Sequence, residues 1–191
     1  MTNTISDLLE AAAECAVPVV RGITDDRLDA PTPCAEYDVR ALVDHLTQVV
    51  INFQALAAKK DADFSVEARF VDGGGDWRER FAEETATLVG AWAAPGAEEG
   101  TTGTFGLPAR TVGHMVLGDL TVHAWDLARA TGQEFTPSPA VVVELGPALD
   151  QMAPMARKGG VFGEPVALRE GASAFARVLA VTGRDPEWVR V

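Results

Sequence analysis

Asp119 and His123 stand four residues apart in the stretch GDLTVHAWDLARATG, an interval that puts both side chains on one side of a helix. At roughly 100° per residue their directions differ by about 40°. Val112, Met115, Val116 and Leu127 share that side, so a carboxylate and an imidazole interrupt an apolar stripe. An earlier stretch repeats the anomaly: His45 falls with Ala41, Leu42, Val49, Phe53 and Leu56. An ionised carboxylate is expensive to bury without partners, and a buried imidazole needs a partner at each nitrogen.

Two chemistries satisfy such intruders. One is a His–Asp hydrogen bond inside a core. The other is a cation, because two imidazoles and a carboxylate suit a divalent transition metal and leave positions open for water or substrate. Spacing alone does not choose between them, since D-x-x-x-H occurs in many helices. Asp126 points within about 20° of Asp119; it could orient a ligand through a hydrogen bond or pair with Arg129. His114 points the opposite way from His123 and reads as a surface or partner-facing residue, and Trp125 reads as core. Cys34, in the turn-like PTPC, reads as a packed loop cysteine rather than a reactive thiolate. The run Gly73–Gly75 lacks the preceding strand and the spacing of a phosphate loop, and no G-x-S-x-G elbow is present.

The elements that must position these residues are mostly helical. Residues 6–23 have helical periodicity, with Ser6 as N-cap and a kink or early stop at Pro18. Residues 24–37 form a loop punctuated by Pro31 and Pro33. A second helix, carrying His45, runs from the N-cap Asp38 to the cations Lys59 and Lys60. Residues 61–76 read as mobile, and a third helix starts at Asp76 and stops before Pro95. Residues 96–112, rich in Gly and Thr, hold a short strand or hairpin. The fourth helix, carrying Asp119 and His123, starts at Pro108 or Arg110 and runs to Thr131, with Gly132 as its stop. The next helical pattern is broken or kinked at Pro147. GVFGEPVAL then reads as extended, GASAFARVLAVTG is a last helix closed by Gly183, and the tail docks through Trp188.

With 191 residues, 47% of them hydrophobic, the chain can fill a single core. The net charge of −12 repels phosphate backbones and anionic lipid, which argues against nucleic acid and membrane as partners. No apolar run approaches the roughly 20 residues of a bilayer span, and MTNTISDLLEAAAE lacks the pattern of a signal peptide. The two cysteines, Cys15 and Cys34, then fit a reduced, cytoplasmic protein. The expectation is an all-α fold spanning residues 1–191 as one domain: a four-helix bundle with additional C-terminal helices and a short hairpin.

Three phrases, PTPCAEYDVRALVDHL, GDLTVHAWDLARATGQ and VLAVTGRDPEW, together resemble a known group. These are the actinobacterial proteins related to the metal-binding domain of mycothiol-dependent maleylpyruvate isomerase, within the DinB/YfiT-like superfamily of metalloenzymes. The resemblance runs from the first helix to Trp188. It implies a DinB-like four-helix bundle whose metal is held by a His of the second helix and a carboxylate-x-x-x-His pair of a later one. On this chain those positions are His45, Asp119 and His123. It also implies a divalent metal, zinc first with nickel or iron as alternatives, and mycothiol as a thiol cosubstrate. The activity to expect is metal-dependent activation of a low-molecular-weight thiol or of water, for transfer or hydrolysis of a small molecule. The alternative from another class is a non-catalytic metal-bound binding or regulatory module, and a homodimer is left open. The isomerase has Glu where this chain has Asp119, one methylene shorter. Its second domain contributes to its catalysis, so maleylpyruvate isomerisation is not carried over.

Overall fold

The computed structural model describes residues 3–104 and 106–190; Met1, Thr2, Phe105 within the hairpin stretch, and Val191 lie outside them. Among the described residues, six helices and one two-stranded ladder follow in the order α1 (Ile5–Arg21), α2 (Val39–Ala57), α3 (Trp77–Trp92), β1 (Thr101–Thr102), β2 (Leu107–Pro108), α4 (Ala109–Thr131), α5 (Pro139–Lys158) and α6 (Ala174–Val181), with a 3-10 turn at Asp25–Arg27. The fold is the expected all-α bundle. α1 and α2 each pack against both α3 and α4, while α5 covers α4 and carries α6. Leu8, Leu9, Leu42, Leu46, Phe81, Leu88, Leu117, Leu120 and Leu127 fill the centre. Among the described residues, no helix is long and apolar enough to cross a membrane.

Capping residues set most helix starts. The Asp38 carboxylate accepts from the Ala41 amide, and Asp76 accepts from the amides of Arg78 and Glu79. At α1 the cap is Thr4 rather than Ser6: Thr4 and Asp7 form a reciprocal capping box, and Ser6 falls inside the first turn. Gly132, at φ 75°, closes α4, a left-handed position that costs a residue without a Cβ little.

Pro18 does not end α1, and Pro147 does not break α5, which also contains Pro154. A helical proline leaves the carbonyl four residues earlier without its donor. Here Pro18, Pro147 and Pro154 are exposed, and so are Glu14, Val143 and Asp150, whose carbonyls are released. Water can satisfy those oxygens, so the helices continue.

The 61–76 stretch, expected to be mobile, is tied along the outer side of α2. Asp44 Oδ1 accepts from the Phe70 and Val71 amides at 2.7 and 2.8 Å, and Asn52 donates to the Asp63 carbonyl at 2.9 Å. The hairpin pairs Thr101 with Pro108 and Thr102 with Leu107, and Thr102 Oγ1 donates to the Leu56 carbonyl at the end of α2. GVFGEPVAL forms no strand; the Val166 amide makes one bond to the Ala180 carbonyl. The tail docks as expected, with Trp188 packed against the core and Arg129 Nε donating to its carbonyl at 3.1 Å. Just before it, Gly183 sits at φ 87° with its backbone against Gly163, so close that a Cβ would lie 2.8 Å from Gly163 Cα.

Candidate metal centre

α2 carries the partly buried His45, and α4 carries Asp119, His123 and Asp126. The His45 and His123 rings meet edge to face with centres 5.3 Å apart, and Tyr37 stacks on His45 at 5.0 Å. An ion bound at a ring nitrogen lies about 3.2 Å from the ring centre, so two imidazoles sharing a tetrahedral ion have centres about 5 Å apart. The 5.3 Å between the ring centres is near that value.

Burial, followed by the nearby charges of His123 and Arg184, lowers the His45 pKa to about 4. At neutral pH it is therefore the uncharged imidazole, the form that ligates metal. Asp119 is half-buried. Burial pushes its carboxyl pKa up, and His123 and Arg184 pull it back. His123 is buried, and its Nδ1 lies 3.0 Å from Asp126 Oδ2. With Nδ1 so engaged, Nε2 is the nitrogen left to ligate.

Asp126 is fully buried, and the cation beside it is Arg184, with Nη2 3.3 Å from the same Oδ2. Asp126 Oδ1 has no partner among the described residues. Cys34 is the unexpected neighbour. Its sulfur, a His123 nitrogen and an Asp126 oxygen lie within 4.8 Å of one another, whereas the donors of His45, Asp119 and His123 do not all gather within that distance. The Cys34 thiol pKa is raised by burial, with Arg184 pulling the other way. Two imidazoles, carboxylates and a thiol are residue types that suit a divalent ion; among the described residues, the donors that lie within one another's reach are those of Cys34, His123 and Asp126.

The family model of the mycothiol maleylpyruvate isomerase N-terminal domain matches residues 9–128. This chain belongs to that family. Two uncharacterized proteins of Mycobacterium tuberculosis, from two strains, are each 32% identical to it over 142 residues, covering 71% of this chain and 71% of the relative. No solved structure matches it closely enough to count. The family stretch contains His45, Asp119, His123 and Asp126, and it stops well before Arg184.

Other residues of this family member fall differently from their sequence reading. His114 is not surface-facing: its Nε2 lies 2.8 Å from Glu144 Oε1, which also accepts from Arg110 Nη2 at 2.7 Å. A helix's far side becomes interior when another helix, here α5, covers it. Arg129 does not pair with Asp126, because it turns to the tail carbonyl of Trp188. Met115, placed in the apolar stripe, is 38% exposed, whereas Trp125 is core. Sequence spacing missed Tyr37, Arg184 and the approach of Cys34, since all three come from outside the two helices. Their one signal was membership in PTPCAEYDVRALVDHL and VLAVTGRDPEW.

Proposed function

We propose that this chain holds one divalent ion, zinc before nickel or iron, at His45, Asp119 and His123, and uses it on a small-molecule thiol or on water. Mycothiol is the thiol that family kinship suggests. The observation that carries this reading is the meeting of His45 and His123 from two different helices, 5.3 Å between ring centres. When bound, such an ion supplies Lewis acidity that makes a thiol or water nucleophilic near neutral pH. The chain's own residues do the rest. α2 and α4 hold two imidazoles in fixed relation, and burial keeps His45 uncharged. Asp126 takes the Nδ1 side of His123, and Asp119 offsets part of the cation's charge. Tyr37 stacks on the His45 ring. The reaction class is thiol transfer or hydrolysis on a small molecule in the cytoplasm.

Elemental mass spectrometry of protein purified without an affinity tag tests the reading. About one ion per chain is expected in the wild type, and little in His45→Ala or His123→Ala. Full metal content in both variants would remove the assignment.

A second reading rests on Cys34, whose sulfur lies within 4.8 Å of donors of His123 and Asp126. A fourth protein ligand would close the site and favour a non-catalytic metal-bound module. Cobalt substitution separates the two readings. A sulfur-to-cobalt charge-transfer band without added thiol, lost in Cys34→Ser, supports the closed site. A band that appears only on adding mycothiol supports the open, catalytic one.

A further inference from the structure

Asp126 has no exposed surface, yet the cation that meets it comes from the far end of the chain. Arg184 follows α6, outside the family-matched stretch, and its side chain is only 10% exposed. Its Nη1 donates to the Thr182 carbonyl at 3.1 Å, and its Nη2 donates to Asp126 Oδ2 at 3.3 Å. The Arg184 amide donates to the Leu179 carbonyl at 3.0 Å, which anchors the residue to the last turn of α6.

The direction of these bonds decides a tautomer. Arginine carries only donors, so Asp126 Oδ2 accepts from it. The same oxygen faces His123 Nδ1 at 3.0 Å. A carboxylate ion-paired with arginine has no proton to donate, so its oxygen accepts from both partners; the imidazole proton sits on Nδ1 and the lone pair on Nε2. We propose that Arg184 is a positioning residue: it fixes Asp126 as an acceptor so that His123 presents Nε2 to a divalent cation.

A second observation supports the pairing. Asp126 Oδ1 and Arg184 Nε are both buried without partners among the described residues. They are the missing halves of a side-on guanidinium–carboxylate fork, of which the Nη2–Oδ2 bond is already made. A small turn of the carboxylate would close the other bond, so Asp126 can follow the His123 ring without losing its cation.

The consequence for metal affinity rests on the function proposed above, but the tautomer does not. Four full-length variants test both: Arg184→Lys, Arg184→Met, Asp126→Asn and the double Arg184→Met/Asp126→Asn. In metal-free protein, long-range proton–nitrogen NMR should show His123 protonated at Nδ1 in wild type and Arg184→Lys. Arg184→Met should move it toward the Nε2 tautomer. Zinc affinity, read by competition with a chromophoric chelator, should fall about 10- to 100-fold in Arg184→Met and in Asp126→Asn. Arg184→Lys should recover most of that loss, and the double variant should bind no more weakly than Asp126→Asn alone, because the two act through one carboxylate. A folded Arg184→Met with wild-type tautomer and affinity overturns the proposal, as does a double variant whose losses add. If Arg184→Met does not fold, Arg184→Gln carries the same test, and an unchanged tautomer there overturns it. Wild type that binds no zinc, with the tautomer still moved by Arg184→Met, would sink the metal reading and leave the positioning role standing.

Discussion

His45 stacks on the Tyr37 ring and meets the His123 ring at a right angle, and its burial makes the metal-free protein acid-sensitive in a defined window. Its folded pKa is about 4 against an ordinary 6.5. As pH falls, the unfolded chain takes up the proton first, so stability drops with acid. The His45 contribution is full above about pH 6.5 and is lost as pH falls through about 4, at most roughly 3 kcal/mol. Asp119 works in the opposite sense: its raised carboxyl pKa lets the folded state bind a proton before the unfolded chain does, and acid relieves it. Urea midpoints measured with chelator from pH 7.5 to 4.5 should therefore fall, and should fall more steeply in Asp119→Asn. A flat profile in both proteins would show that His45 is not held neutral by burial. At this scale the helical interval was enough to single out His45, Asp119 and His123, because a period of 3.6 is a local property. Arg184 and Cys34 were not legible as chemistry, because only tertiary packing brings them to Asp126.

Helix ends and helix contacts were legible to different degrees. Asp38, Asp76 and Gly132 marked their boundaries by side-chain chemistry alone. The prolines did not end their helices: whether water reaches a released carbonyl depends on which side of the helix packs, and sequence shows that only indirectly. Glycines carry the same ambiguity. A Cβ on Gly113 in α4 would lie 2.8 Å from Ile5 Cγ1 and Cγ2 of α1, whereas Gly90 in α3 has nothing within 4 Å. Gly113→Ala gains about 1 kcal/mol of helix propensity against an overpacking cost of about 1–3 kcal/mol, for a net loss on the order of 1 kcal/mol. Gly90→Ala meets no such cost and should stabilise by up to about 1 kcal/mol. Denaturant midpoints that shift in opposite directions would verify both contacts; a stabilising Gly113→Ala would mean that α1 and α4 are less tightly apposed.

The molecule as a whole has enough core to fold without an ion, unlike a zinc finger. Ligand linkage gives roughly 4 kcal/mol when free metal exceeds the dissociation constant about a thousandfold. For a domain of this size, that corresponds to a melting shift on the order of 10 °C. Chelation should lower Tm by about that amount while helical circular dichroism persists. Asp119→Leu, which puts an apolar group in place of the anion, should melt at a temperature that chelator does not change. An unfolded metal-free protein would make the ion structural, and metal-loaded protein indifferent to chelator would place the ion elsewhere.

The backbone apposition of Gly183 and Gly163 gives this architecture an inconspicuous point of heritable weakness. Gly163 is exposed and Gly183 only partly covered, so a survey of damaging alleles that weighted core and ligand positions would rank a change at Gly183 as mild. Yet any other residue there must hold a left-handed backbone and push against Gly163, and the next residue along is Arg184. Such an allele would leave His45, Asp119 and His123 in place and the bundle folded. On the function and positioning role proposed above, its carrier would make normal amounts of a protein that competes poorly for scarce metal, a defect revealed by starvation for the ion and masked by its abundance.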